Sequence, residues 1–176
     1  MQSFTDILDD LDRDGFGHYI AGFIDGEGSF VITTCGPSSG AANCRLQIKL
    51  RDDDAAILYE IQKRTGLGRI YAEPVSGRKR DTSNWHPQVF WKVHSKQDCA
   101  RAVLLLERFP LRAKKRRDFD IWRLAVREWQ TKRCYGHWEL MAAFRRQLIA
   151  TRSYVEPGDA PELSVVELQP HLEGLG

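Results

Sequence analysis

The sequence predicts an α+β fold, with helices on one face of an antiparallel sheet. Four segments alternate apolar and polar residues, which is the period of a strand with one buried face. They form two pairs, and stretches with helical spacing precede, separate and follow the pairs. Paired strands with segregated helices indicate an α+β fold. The expected order is helix, two strands, helix, two strands, and then further helices.

The first well-defined helix is expected over residues 16–25. An acidic stretch at residues 3–12 precedes it and is either a short helix or a frayed lead-in. Apolar residues recur at helical spacing: Phe16, Tyr19, Ile20, Phe23 and Ile24. A second stripe is made mostly of small residues: Ala21, Gly22, Asp25 and Gly26. Glycine in a helix costs roughly 1 kcal/mol relative to alanine, and close backbone approach usually offsets that cost. The second stripe therefore predicts another helix packed tightly against this one.

The two strand pairs follow. The first pair is expected at residues 29–34 and 43–50, and the second at residues 69–73 and 88–94. Between them lies a helix that we expect the aspartates at 52–54 to cap, because acids favour a helix N-terminus.

The rest of the chain is predicted to be helical and then flexible. Helices are expected at residues 96–108, from the basic run at 112–117 onward, and at 138–150. We expect one domain over residues 1–152. Residues 153–176 contain Pro, Gly and five acids but no Lys or Arg, which is typical of a flexible acidic tail.

Two acids, Asp25 and Glu27, close the first helix within the sequence Asp-Gly-Glu-Gly. Carbonyl dipoles already make that end of a helix negative. Gly26 and Gly28 suit a helix stop, since glycine accepts the left-handed conformation. A hard cation such as Mg²⁺ would relieve the repulsion, because it prefers carboxylate and carbonyl oxygens. Taken alone, however, these four residues more often form a solvated acidic turn.

Residues 20–28, Ile-Ala-Gly-Phe-Ile-Asp-Gly-Glu-Gly, resemble the signature of the LAGLIDADG homing endonucleases position by position. The resemblance covers roughly residues 14–130. It implies an αββαββα fold with a curved sheet, and a signature helix packed against its equivalent across a twofold axis. It also implies metal binding by Glu27 and the carbonyl of Gly26, with Asp25 as a further catalytic acid. Glu27 stands where the family more usually has Asp, and it keeps the charge.

The resemblance also implies a basic residue near the scissile phosphate. Lys114, three residues after Leu111, is the expected catalytic lysine, and Lys115 takes that role if the register slips by one. Without the resemblance, this basic run is explained as a solvated helix start. Leu50 departs from the family, which often has a polar residue at the end of this strand. Arg51 is a candidate substitute, and reduced or absent cleavage stays open.

The polar face of the predicted sheet carries side chains suited to DNA. Arg, Lys and Gln pair with base edges in the major groove, and Arg and Lys also meet phosphates. The candidate DNA-binding residues are Ser29, Thr33, Arg45, Gln47, Lys49, Arg69, Tyr71, Gln88 and Lys92, with Arg78, Lys79 and Arg80 in a loop. From the residues alone a solvated face is the better explanation. The resemblance favours DNA contact.

Composition is compatible with this interpretation. Residues 1–152 hold 26 basic and 19 acidic residues, a net charge of +7, which suits a polyanionic partner. The four cysteines lack metal-binding spacing and are expected to be free thiols in a reducing compartment. There is no apolar run of about 18 residues and no signal-peptide pattern. We therefore expect a cytoplasmic or organellar protein that is neither membrane-bound nor secreted.

The sequence thus predicts an endonuclease that hydrolyses double-stranded DNA with Mg²⁺ or Mn²⁺. One motif per chain supplies one metal-binding end, so we expect a homodimer joined through Ala21, Gly22, Asp25 and Gly26. A twofold dimer implies a near-palindromic site, and the resemblance suggests a long one. The alternative is a catalytically inactive DNA-binding regulator or RNA-splicing maturase of the same fold. A dimerising module without nucleic acid is the third hypothesis.

Overall fold

The computed structural model describes residues 2–35, 41–73, 86–131 and 138–152. Its elements are α1 Phe4–Arg13, α2 Phe16–Glu27, β1 Gly28–Thr34, β2 Ala42–Arg51, α3 Ala56–Thr65, β3 Arg69–Glu73, β4 Gln88–Val93, α4 Lys96–Arg108, α5 Lys115–Thr131 and α6 Trp138–Ala150. The predicted α+β class and the αββαββα order are confirmed from α2 to α4. One helix precedes this unit and two follow it.

The four strands form one antiparallel sheet in the order β1-β2-β4-β3. Alternate side chains on one face are buried, and they include Phe30, Leu46, Ile48, Trp91 and Val93. Helices α2 to α6 all contact the strands. The opposite face carries half-buried and exposed side chains, and we call it the open sheet face.

The N-terminal acidic stretch is a helix rather than a lead-in. Ser3 accepts a hydrogen bond from the Asp6 amide at 3.1 Å, and Asp6 accepts one from the Ser3 amide at 2.8 Å. This reciprocal cap satisfies two amides that a helix start leaves without partners. Arg108 of α4 pairs with Asp12 at 2.6 Å, which joins α1 to the domain.

A glycine turn connects α3 to the edge strand β3. Gly66 and Gly68 have φ values of 66° and 71°, a conformation that favours glycine. At Gly68 an added Cβ would lie 2.6 Å from the carbonyl oxygen of Lys92. The indole N–H of Trp91 donates to the carbonyl of Leu67 at 2.8 Å, so the turn is fixed to β4.

Two local predictions about helix ends are wrong. The aspartates at 52–54 form a 3₁₀ turn, and Ala55 occupies the N-cap of α3 without a side-chain cap. Helix α2 runs on to Glu27, and Gly28 is extended at φ −69° and ψ 154° rather than left-handed. The chain passes from α2 directly into β1, so a reversing turn is not needed. Glycine is required at position 28 for space, because an added Cβ would lie 2.7 Å from the Ile24 carbonyl oxygen.

Some predicted features lie outside the described residues, namely the loop with Arg78, Lys79 and Arg80 and the tail at 153–176. Each helix in the described ranges is too short or too polar to span a bilayer.

Candidate functional site

Asp25 links the last turn of α2 to the segment before α5. Its Oδ2 atom accepts hydrogen bonds from the backbone N–H groups of Arg112 at 2.7 Å and Ala113 at 3.1 Å. The contact holds these residues outside the helix, so α5 begins at Lys115 and not at residue 112 as predicted. The other carboxylate oxygen, Oδ1, is buried and has no hydrogen-bond partner within the described ranges. Asp25 therefore has a structural role in addition to its predicted one.

Lys115 is the lysine that reaches the end of α2. Its Nζ atom donates a hydrogen bond to the carbonyl of Gly26 at 3.1 Å. Burial lowers the pKa of its ammonium group, the carboxylates of Asp118, Asp25 and Glu27 oppose that shift, and Arg152 adds to it. The Lys114 side chain is exposed and makes no hydrogen bond or ion pair within the described part of the chain. Of the two predicted lysines, the geometry brings Lys115 to the carboxylates.

Glu27 and Gly26 are both exposed at the end of α2. The Gly26 carbonyl accepts the Lys115 hydrogen bond and keeps a second lone pair. In the described ranges, no three His, Cys, Asp or Glu side chains gather closely enough to hold an ion. Mg²⁺ commonly binds one or two carboxylates together with substrate phosphates and water. The oxygens of Glu27 and Gly26 fit a cation whose other ligands come from outside this chain.

A cavity of about 290 Å³ opens beside the end of α2. It is lined by Asp25, Ala113, Lys114, Lys115, Asp118, Thr151 and Arg152. Three cationic side chains and two carboxylates thus surround one space, which gives its lining one net positive charge. We call it the α2–α5 cavity.

The small stripe of α2 divides into a buried and an exposed part. Ala21 is buried, Asp25 is half-buried, and Gly22 and Gly26 are exposed. At both glycines an added Cβ would meet nothing within 4 Å. The stripe therefore leaves open space along α2, bordered by a second cavity of about 360 Å³ that His18 and Pro110 help to line.

The predicted DNA-binding residues of the strands lie on the open sheet face. Ser29 is opposite Gln47, Gln47 is opposite Lys92, and Lys92 is opposite Arg69. These four side chains therefore form a row across all four strands.

The remaining candidates lie on either side of that row. Arg45 is opposite Val31, Thr33 donates a hydrogen bond to Asn43 at 2.6 Å, and Gln88 is opposite both Arg51 and Glu73.

Phe90 lies at the centre of the open sheet face and was not predicted as a contact residue. It is opposite both Lys49 and Tyr71. The Nζ atoms of Lys49 and Lys92 lie 5.1 Å and 4.4 Å from its ring centroid, within range of cation–π attraction. Strand alternation places Phe90 on this face, beside the predicted contact residues Gln88 and Lys92.

The structure shows the surroundings of Leu50, where the family often has a polar residue, and of Arg51. Leu50 is half-buried against the core. Arg51, the candidate substitute, donates from Nε to Asp53 at 3.0 Å and pairs its guanidinium with the same carboxylate. In this arrangement Arg51 is bound to the turn after β2 rather than to the end of α2.

Comparison with known proteins places the chain in a family. A sequence model described as LAGLIDADG endonuclease matches residues 20–126. The probable intron-encoded endonuclease 3 of Neurospora crassa is 32% identical over 112 residues. That match covers 61% of this chain and only 19% of the relative, so the chain corresponds to a small part of that protein.

Solved structures show the same fold. The archaeal intron-encoded homing endonuclease I-Vdi141I, complexed with DNA, has a TM-score of 0.64 at 18% identity, covering 82% of this chain and 90% of that one. The LAGLIDADG meganuclease I-AabMI, bound to uncleaved DNA, has a TM-score of 0.57 at 23% identity, covering 80% of this chain and 44% of that one. The homing endonuclease I-TnaI has a TM-score of 0.56 at 18% identity, covering 90% of this chain and 96% of that one. With the signature at the end of α2 and the family match across α2 to α5, the chain belongs to the LAGLIDADG endonuclease family.

Proposed function

We propose that this protein is a divalent-metal-dependent endonuclease that cleaves both strands of DNA as a homodimer. The observation that carries the proposal is the convergence of Glu27, Asp25 and Lys115 at the end of α2, where Lys115 bonds to the Gly26 carbonyl. The substrate is a long, near-palindromic duplex. DNA-bound states of I-AabMI and I-Vdi141I support DNA as the ligand.

Each group has a separate task in this proposal. Glu27 and the Gly26 carbonyl would hold Mg²⁺ or Mn²⁺, and the bound ion would supply Lewis-acid polarisation of the phosphate and stabilisation of the leaving oxygen. Lys115 places a positive charge where negative charge develops on the phosphate. Asp25 fixes the segment before α5 through the Arg112 and Ala113 amides, and thereby positions Lys115.

The open sheet face binds the major groove. The row Ser29, Gln47, Lys92 and Arg69 supplies side chains that pair with base edges or phosphates. Lys49, Tyr71, Arg45, Thr33 and Gln88 extend the contact along the strands. Because phosphate contacts release counterions, DNA affinity falls steeply with salt. Binding that is insensitive to salt would favour the third hypothesis, a module that does not bind nucleic acid.

Dimerisation supplies the second cleavage site. A chain with one signature has one Glu27 and therefore one candidate metal site. Cleavage of both DNA strands needs two such sites. The exposed Gly22 and Gly26 give a second α2 helix room for close approach. A twofold dimer presents two equivalent open sheet faces, which matches a near-palindromic target.

The test is cleavage of a randomised duplex library in Mg²⁺ by the wild type and by Glu27→Gln. Glu27 is exposed, so the substitution leaves the fold intact. We expect the wild type alone to cut, and both proteins to bind DNA. Equal cutting by both would refute the role of Glu27. Binding without cutting by either would refute the nuclease.

The alternative is a DNA-binding regulator or RNA-splicing maturase of the same fold. One observation favours it, namely that Leu50 supplies no polar group and Arg51 is bound to Asp53. If neither protein cuts the library, RNA is the next ligand, and tighter binding to structured RNA than to duplex DNA would select the maturase.

A further inference from the structure

The two residues after α6 line the α2–α5 cavity, and they lie outside the segment that the family match covers. Thr151 and Arg152 line that cavity with Lys115 and Asp25. The family match ends at residue 126. These two residues therefore add side chains to the candidate cleavage site that the signature does not include.

Asp118 anchors this end of the chain. Thr151 donates to Asp118 Oδ1 at 2.5 Å, and Arg152 Nε lies 3.8 Å from Asp118 Oδ2. The Asp118 side chain is only 14% exposed, so the carboxylate is largely shielded from water. Asp118 belongs to the first turn of α5, the same turn that begins with Lys115.

Arg152 has a second anchor in the sheet. Its Nη2 atom donates to the carbonyl of Phe30 in β1 at 2.5 Å. The anchors use Nη2 and Nε, and Nη1 has no partner within the described ranges. The side chain remains 47% exposed. One edge of the Arg152 guanidinium is therefore fixed by these contacts, and the edge that carries Nη1 is available. That edge can donate hydrogen bonds to an anion, since arginine pairs with phosphate through a planar fork.

We propose that Arg152 binds a backbone phosphate of DNA at the cleavage site and that Asp118 is its positioning residue. The inference rests on the proposed function of the same site. Within the cavity, Arg152 lies with Lys114 and Lys115, so its charge adds to theirs. Asp118 binds both Thr151 and Arg152 and thereby joins α6 to α5 beside Lys115.

The first test is cleavage by Arg152→Gln, Arg152→Lys and Asp118→Asn of a duplex selected from the library by the wild type. We expect Arg152→Gln to reduce the single-turnover rate roughly 10-fold to 100-fold, the range for a charge-assisted hydrogen bond. Arg152→Lys should recover part of that loss. Arg146→Gln is the matched control, because Arg146 is exposed on α6, the helix that precedes Arg152, and does not line the cavity.

The second test separates a phosphate contact from a structural role. Binding of a random-sequence duplex is measured against salt in the Glu27→Gln background, which prevents cleavage. A plot of log affinity against log salt has a negative slope, and loss of one phosphate contact makes that slope shallower by about 0.9 per chain. Arg152→Gln should show that change and Arg146→Gln should not, with thermal melting as the check on folding.

The outcomes distinguish the two proposals. A wild type that does not cut refutes the nuclease, and an unchanged salt slope for Arg152→Gln in the binding assay then also refutes the phosphate contact. A wild type that cuts, with Arg152→Gln matching it in rate and salt slope, refutes the role of Arg152 alone. A lowered melting temperature with an unchanged salt slope assigns Arg152 a purely structural role and overturns the inference.

Discussion

Lys114 and Lys115 are adjacent in sequence but have different surroundings. Lys115 is half-buried and bonded to the Gly26 carbonyl, whereas Lys114 is exposed at the rim of the α2–α5 cavity. A cation contributes most to catalysis where water is excluded and its position is fixed, because it then meets developing charge without reorganisation. At the residue scale this difference favours Lys115 as the catalytic lysine.

The corresponding prediction compares Lys115→Ala with Lys114→Ala. We expect Lys115→Ala to lower the single-turnover cleavage rate about 100-fold, the effect of removing one preorganised charge-stabilising donor. Lys114→Ala should lower it much less. Circular dichroism checks that both variants fold. A larger loss in Lys114→Ala would assign the role to Lys114.

The cysteines give a residue-scale prediction that is independent of DNA. Burial raises the pKa of the Cys99 thiol to about 12, with the charge of Asp98 adding to the shift, and burial also raises the pKa of Cys44. Cys35 is exposed. Since the thiolate is the reactive form, a raised pKa slows alkylation at pH 8.

A Cys134→Ser variant, which limits the assay to these three thiols, is treated with iodoacetamide at pH 8. Mass spectrometry should find Cys35 modified first, with Cys44 and Cys99 protected until urea unfolds the chain. Rapid modification of Cys99 in the folded protein would contradict its burial.

At the scale of elements, two glycines of α2 have opposite surroundings. Gly17 is buried, and an added Cβ would lie 2.4 Å from ring atoms of Phe109, the residue after α4. Phe109 is itself only 1% exposed, so its ring has little room to move. Gly22, five residues later, faces open space.

Gly17→Ala is therefore expected to lower the free energy of unfolding by about 1 to 3 kcal/mol, as overpacking does in cores. Gly22→Ala should leave the stability of a dilute sample unchanged or raise it by up to roughly 1 kcal/mol, because alanine favours helix. Urea denaturation of both variants measures the difference. Equal stabilities would show that Phe109 moves aside.

At the scale of the whole molecule, the proposed homodimer depends on the open space along α2. We expect each complex of the wild type with DNA to contain, beside the mass of the duplex, about twice the 20.2 kDa chain mass in sedimentation analysis. Gly22→Leu should remain a monomer and lose double-strand cleavage, since a large side chain prevents close approach of two helices. Ala56→Leu is the control, because Ala56 is exposed on α3, away from this stripe. A wild type that sediments as a monomer on DNA would contradict the dimer.

Local patterns account for most of the fold. Strand alternation correctly separated Phe30 and Leu46 from Arg45 and Gln47, because successive side chains of a strand point to opposite faces. The bounds predicted for the helices at 96–108 and 138–150 match α4 and α6. Helix ends were predicted less well, since the start of α5 depends on a carboxylate that is 87 residues earlier in the chain.

The sequence by itself determined the fold class, the family signature and the open sheet face, because helical and strand periods are local properties of the chain. Only the tertiary structure decided that Lys115 rather than Lys114 reaches the end of α2, and that Arg152 joins the same cavity. The physical reason is sequence separation: Arg152 and Phe30 are 122 residues apart, and packing of α5 and α6 on the sheet brings them together.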